Sequence, residues 1–178
     1  MKLESSVFFH NLSHEFKELM GCDKLINNIG RYEEIASLVS ELDYCLQENE
    51  QAAYAMMRDM LMEDDYYLLI PAGGKHTWCS TVKLIEAVGY PQNKKALPSL
   101  LLLLQDLNWP DAKEGMHVLK SAGKEAVMPL LEAAIKSAAA FGDTVWLAWI
   151  KHFMEFAHIC EGDFANHDAF TLLQYAEW

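Results

Sequence analysis

The chain is poor in the residues that interrupt packed structure. Its 178 residues hold only 9 Gly and 5 Pro, whereas 52% are hydrophobic. That balance excludes a disordered chain and leaves enough apolar side chains for one well-buried domain. Strand-like alternation and Asn-Gly hairpin turns are missing, which excludes a β-rich fold. Even the greasy run from Leu97 to Leu107 contains polar residues and stays well short of the roughly 18–20 apolar residues of a membrane span, so no membrane association is expected. Cys22, Cys45, Cys79 and Cys160 form no C-x-x-C pair, so neither a disulfide framework nor a zinc ribbon is indicated, and buried thiols are expected. The start, Met1 to Ser6, has an early acidic residue and no apolar core with a cleavage site; the location expected is cytoplasmic.

Acid exceeds base, giving a net charge of −12. Residues 1–66 carry 5 Lys/Arg against 14 Asp/Glu, a net −9, and residues 67–178 carry 9 against 12, a net −3. Such a field repels nucleic acid and acidic membranes and attracts basic partners.

Helical spacing runs through the rest of the sequence and predicts an all-α protein of about 8–10 helices. Residues 1–66 form an acidic N-terminal helical part and residues 67–178 a helical-hairpin domain, together expected to make one compact unit. A first helix is predicted from Ser6 to Met20, capped by Ser5 or Ser6 and ended by Gly21, with Phe9, Leu12, Phe16 and Leu19 on one face. After a short turn or helix over Asp23 to Ile29 and the break at Gly30, the stripe Ile35, Leu38, Val39, Leu42, Cys45, Leu46 marks a second main helix. Asn49 caps a third, bearing Ala52, Ala53, Met56, Met57, Met60 and Leu61; methionines at this spacing suit either a core or an adaptable binding surface. Residues 63–74 break the rhythm and read as an extended connector with Tyr66 to Ile70 against the core. Helices are predicted next from Lys75 to Val88, Leu97 to Leu107, Asp111 to Ala122, Lys124 to Ala140, Asp143 to Cys160 and Asp168 to Ala176. Trp146, Trp149 and Phe153 share a face of the longest late helix and are expected to pack inward.

At the corner Leu104-Gln105-Asp106-Leu107-Asn108-Trp109-Pro110-Asp111, Pro110 suits the first position of a new helix, and Asn108 suits the left-handed conformation that closes the old one. Asp106 and Asn108 bind local backbone groups and Trp109 plugs the corner. Leu97-Pro98-Ser99-Leu100 and Met128-Pro129-Leu130-Leu131 lie 31 residues apart, each read as placing a proline in the first turn of a helix. Stacked antiparallel hairpins, a HEAT-like α-α superhelix, are the architecture this implies.

Ile70-Pro71, Lys75-His76, Leu97-Pro98 and, most specifically, Leu104 to Pro110 followed by Ala112-Lys113 give residues from about 68 to 158 their family likeness. This stretch resembles a bacterial family of small helical domains, domain-of-unknown-function family 5071. Thr77 stands where that pattern has an acidic residue. The resemblance implies a compact stack of antiparallel helices and brings no activity, cofactor or catalytic residue.

Chemical motifs are scarce. His10, His14 and Glu18 span about 12 Å of helix, too far for one ion bound at about 2 Å from each ligand. Gly73-Gly74-Lys75-His76-Thr77 lacks the first glycine and the Ser/Thr of a phosphate loop. His158, Cys160, Asp163, His167 and Asp168 crowd one loop without a metal or catalytic spacing. No cofactor is expected. The leading expectation is a non-enzymatic protein-binding module, in sharper form an immunity-type inhibitor that covers a basic toxin, with Glu48, Glu50, Glu63, Asp64 and Asp65 as contacts and Tyr66 and Tyr67 as anchors. The alternative is an enzyme or small-ligand binder using a groove between the two halves near Lys75 and His76. A third option pairs Met and Trp faces with a second copy.

Overall fold

A computed structural model of the chain describes residues 12–22 and 29–177, with side chains outside 43–48. Among the described residues the protein is all-α, with no strand. The α-helices are α1 (His14–Leu19), α2 (Ile29–Glu48), α3 (Glu50–Met60), α4 (Leu69–Ala72), α5 (Trp78–Val88), α6 (Leu97–Leu103), α7 (Ala112–Ala122), α8 (Lys124–Phe141), α9 (Thr144–Ala157) and α10 (His167–Leu172). Short 3-10 turns cover Glu63–Tyr67, Lys94–Ala96, Glu161–Asp163 and Leu173–Tyr175.

Each main helix buries the stripe its sequence supplies. Ile35, Val39 and Leu42 of α2 are fully buried, as are Val82 and Ile85 of α5. All seven residues of α6 are buried, so this helix needs no polar face. Helix α8 packs against α1, α6, α7, α9 and α10. Its contact with α1 joins segments more than a hundred residues apart in the sequence. Trp146 of α9 fixes this centre: its fully buried ring meets Phe16 of α1 edge-on at 5.8 Å, and its Nε1 donates to the Leu101 carbonyl at 3.2 Å. The Ser13 N–H donates to Ser137 Oγ of α8 at 2.8 Å. Buried side chains from Leu12 to Leu173 belong to one apolar cluster.

Several expectations are corrected in detail. Helix α1 starts at His14, where the Ser13 hydroxyl accepts from the Phe16 N–H at 3.2 Å; Ser5, Ser6, Phe9 and His10 lie outside the described residues. Gly30 falls within the first turn of α2, not ahead of it. The stretch 63–74 is not extended: it folds into a 3-10 turn and α4, too short to leave a periodic signal. Helix α5 begins at Trp78, three residues later than read. Pro98 stands in the first turn of α6, but Pro129 is the sixth residue of α8, because that helix starts at Lys124. Asn166, not Asp168, caps α10 through the Asp168 N–H. Cys22 is buried as expected, whereas Cys79 and Cys160 are exposed.

The corner between α6 and α7 also rearranges. Asp106 Oδ1 accepts from the Asn108 backbone and side-chain nitrogens, both at 2.9 Å, and Asp111, not Asn108, adopts the left-handed conformation with φ 55°. Pro110 stands ahead of the helix, whose first residue is Ala112. Trp109 is half-buried, its ring 5.4 Å from that of Trp78 and beneath the Lys75 ammonium at 4.4 Å. Truncating this indole removes a ring pair and a cation contact, so Trp109→Ala is expected to cost about 2–3 kcal/mol in urea unfolding.

Candidate functional site

Three exposed methionines, Met56, Met60 and Met62, stand on and just beyond α3. The helix is set by Asn49, whose side chain accepts from the Ala52 N–H at 3.1 Å. Ala53 and Met57 turn into the core, and that rotation carries Met56 and Met60, one turn apart, to the surface at 43% and 47% exposure. The choice between core and surface that methionine spacing leaves open is thereby divided: Met57 is core, Met56 and Met60 are surface. Asp59 is exposed beside them.

The turn beyond α3 is governed by Asp65. Its side chain is almost fully buried; Oδ1 accepts from Arg31 Nε at 2.9 Å, and Oδ2 accepts from the Met62 N–H at 2.7 Å and pairs with Arg31 Nη2. The same Nη2 donates to the Met60 carbonyl at 3.3 Å, and Arg31 Nη1 meets Glu34 at 2.6 Å. One guanidinium thus ties the start of α2 to the end of α3. Asp65 is therefore removed from the expected set of partner contacts: its charge is spent on a buried bidentate pair. Tyr66 is corrected likewise, being 5% exposed.

Glu63 and Asp64 remain outside, as read from the sequence, and both are held by Lys95, Glu63 at 2.9 Å. The Lys95 ammonium also lies 5.7 Å from the Tyr67 ring. These two acids raise the lysine pKa above its ordinary value, hydrogen bonding to Asp64 and then Glu63 being the main causes. A groove of about 340 Å³ opens here, lined by Glu63, Tyr66, Pro91, Gln92, Lys94 and Lys95. Glu50 is exposed and accepts from the Tyr54 hydroxyl at 2.8 Å. The side chain of Glu48 lies outside the described ones.

The other candidates do not converge. Lys75 spreads over the rings of Trp109 and Trp78, and His76 is exposed. In the late loop, Asp163 pairs with Lys124 at 2.7 Å and accepts from the Cys160 N–H, which hold it at a pKa of about 2. His167 turns instead to Glu161 at 3.2 Å, and His158 takes the left-handed residue that closes α9. Among the described residues no three His, Cys, Asp or Glu side chains gather as metal ligands, and no helix is long and apolar enough to cross a membrane. Compared with known proteins, the chain matches no family model, no curated protein and no solved structure.

Sequence reasoning missed Arg31, whose partner lies 34 residues away, and Lys95, 31 residues beyond Asp64. Neither pairing has a local spacing signal.

Asp65→Asn leaves a mostly buried guanidinium half-paired and is expected to cost about 3 kcal/mol in urea unfolding, with the turn at Met62 losing its fixed geometry. Tyr54 provides a pH test. Burial, then the bond to Glu50, raises its pKa above the ordinary tyrosine value. The folded chain keeps this proton longer than the unfolded one, so the contribution is intact below about pH 10 and is lost as the pH rises further. Tyr54→Phe is expected to flatten the decline of melting temperature above that pH.

Proposed function

We propose that the chain is a non-enzymatic protein-binding module whose α3 face captures a basic partner, and that its sharper role is an immunity-type inhibitor of a basic toxin. The observation that carries this reading is the exposure of Met56, Met60 and Met62 within one short stretch that also exposes Asp59, Glu63 and Asp64. Methionine is unbranched and polarizable, so it adapts to a partner's apolar groups, while surrounding acid steers a basic surface into contact. Within the chain's net charge of −12, the field favours fast encounter and rejects nucleic acid.

A cytoplasmic setting and the hairpin architecture implied by the likeness of residues 68–158 to domain-of-unknown-function family 5071 belong to the same reading. A toxin attacking nucleic acid fits best, because a phosphate-binding surface is basic and an acidic cover blocks it directly.

The test is a pull-down from the native host at low and high salt, followed by kinetics on the retained protein. Met60→Ala is expected to speed release about 5–30-fold, and Asp59→Asn to slow association and flatten its salt dependence. Retention of nothing at low salt, or equal binding by wild type and a Met56→Ala/Met60→Ala variant, overturns the proposal.

A further inference from the structure

On an acidic chain, α7 and α9 carry a face of the opposite character. Lys113, His117 and Lys120 recur at i, i+4 and i+7 on the exposed row of α7, and all three are exposed. Beside them, Trp149, His152 and Phe156 share one row of α9, with Trp149 and Phe156 half-buried. The two rows are joined: the His117 ring meets Phe156 edge-on at 4.8 Å, and Lys120 places its ammonium 4.3 Å from the Phe156 ring centre while donating to the Phe156 carbonyl at 2.8 Å. Trp149 and His152 lie 6.1 Å apart, ring to ring. Glu114 and Glu155 fall on flanking rows of the two helices.

We infer that this basic, aromatic face docks on the acidic, methionine-bearing α3 face of a second copy, joining chains head to tail. Three observations select that occupant. The two faces are complementary in charge, lysines against Asp59 and against Glu63 and Asp64, whose charge Lys95 neutralises only in part. They are complementary in apolar chemistry too, since a thioether packs favourably on an aromatic ring. Either face set against itself opposes like charges, which excludes a two-fold contact through one patch and leaves contact between the two unlike faces. The acidic field of the whole chain opposes long assemblies, so association is weak, concentration-dependent and strongest where salt screens the net charge without dissolving the close pairs. Self-association also covers the α3 face, so a basic partner competes with a second copy for it.

Two variants, each defective in one face, test the inference in sedimentation velocity from about 10 μM to about 500 μM, a range that reads weak affinities. Wild type is expected to gain mass with concentration and to return to monomer at about 1 M salt. Lys113→Glu/Lys120→Glu and Asp59→Lys/Met60→Lys, each with a native circular dichroism spectrum, are expected to stay monomeric alone. Mixed, they are expected to associate again, because one intact α3 face meets one intact α7–α9 face and the two reversed faces also set unlike charges together. Lys113→Gln/Lys120→Gln shifts association in the same direction by a smaller factor and stands in for the charge reversal if that variant does not fold. A wild type that is monomeric throughout, variants that associate like wild type, a mixture that stays monomeric, or binding of oligoglutamate to a chain that never self-associates overturns the inference. The experiment contains no basic partner, so its failure leaves the proposed function standing.

Discussion

A single carboxylate decides how the chain leaves α3. Asp65 is buried against Arg31 and accepts the Met62 N–H, so the chain leaving α3 must turn tightly at that point. Within the five-residue turn, Asp65 and Tyr66 face inward while Glu63 and Asp64 face outward. The desolvation of such a pair roughly offsets its attraction, so its value is not net stability but the definition of one geometry. An apolar pair of equal volume would hold the helices together without dictating where the backbone of Met60 and Met62 goes, because it offers no hydrogen bonds to either. That turn fixes where Met62 stands, whereas Met56 and Met60 are exposed because Ala53 and Met57 face the core.

The fold was legible wherever burial follows a local period. Ile35, Val39 and Leu42 repeat at helical spacing and are buried; Asn49 caps as its side-chain chemistry requires. Failures cluster where structure is short or partners are distant. The 3-10 turn at 63–67 has too few residues to show a period, so it read as extended chain. Pro129 aligned with Pro98 in sequence, yet α8 begins five residues earlier than it, and alignment of prolines carries no information on where a helix starts. Glu63 and Asp64 are exposed as their polarity predicts, whereas Asp65 is buried, since acid is usually outside unless paired and its partner is remote in sequence. The row of Lys113, His117 and Lys120 is plain in the sequence as spacing, but a strongly negative total conceals a local excess of base.

The charge of this protein is thus better described as a distribution than as a number. The acidic first third supplies the field that reaches far into solution, while close up the surface carries small groups of charges set among methionine or aromatic side chains. Lys95 shows the same economy at short range: it neutralises Glu63 and Asp64 in part, and leaves Asp59 as the acid beside Met56 and Met60 that this clamp does not reach. Specificity of this kind depends on pattern, and equal net charge arranged differently does not reproduce it.

The packing of α1 on α8 sets an order of events during synthesis. Ser13 meets Ser137 across 124 residues, and Phe16 awaits Trp146. Helix α1 therefore emerges from the ribosome long before anything exists to cover it, with Leu12, Phe16 and Met20 all destined for full burial. Contacts this remote form late and carry a large loop-closure cost, and their apolar halves stay open to wrong partners in the interval. The segment that completes the core is made well before the partners that cover it.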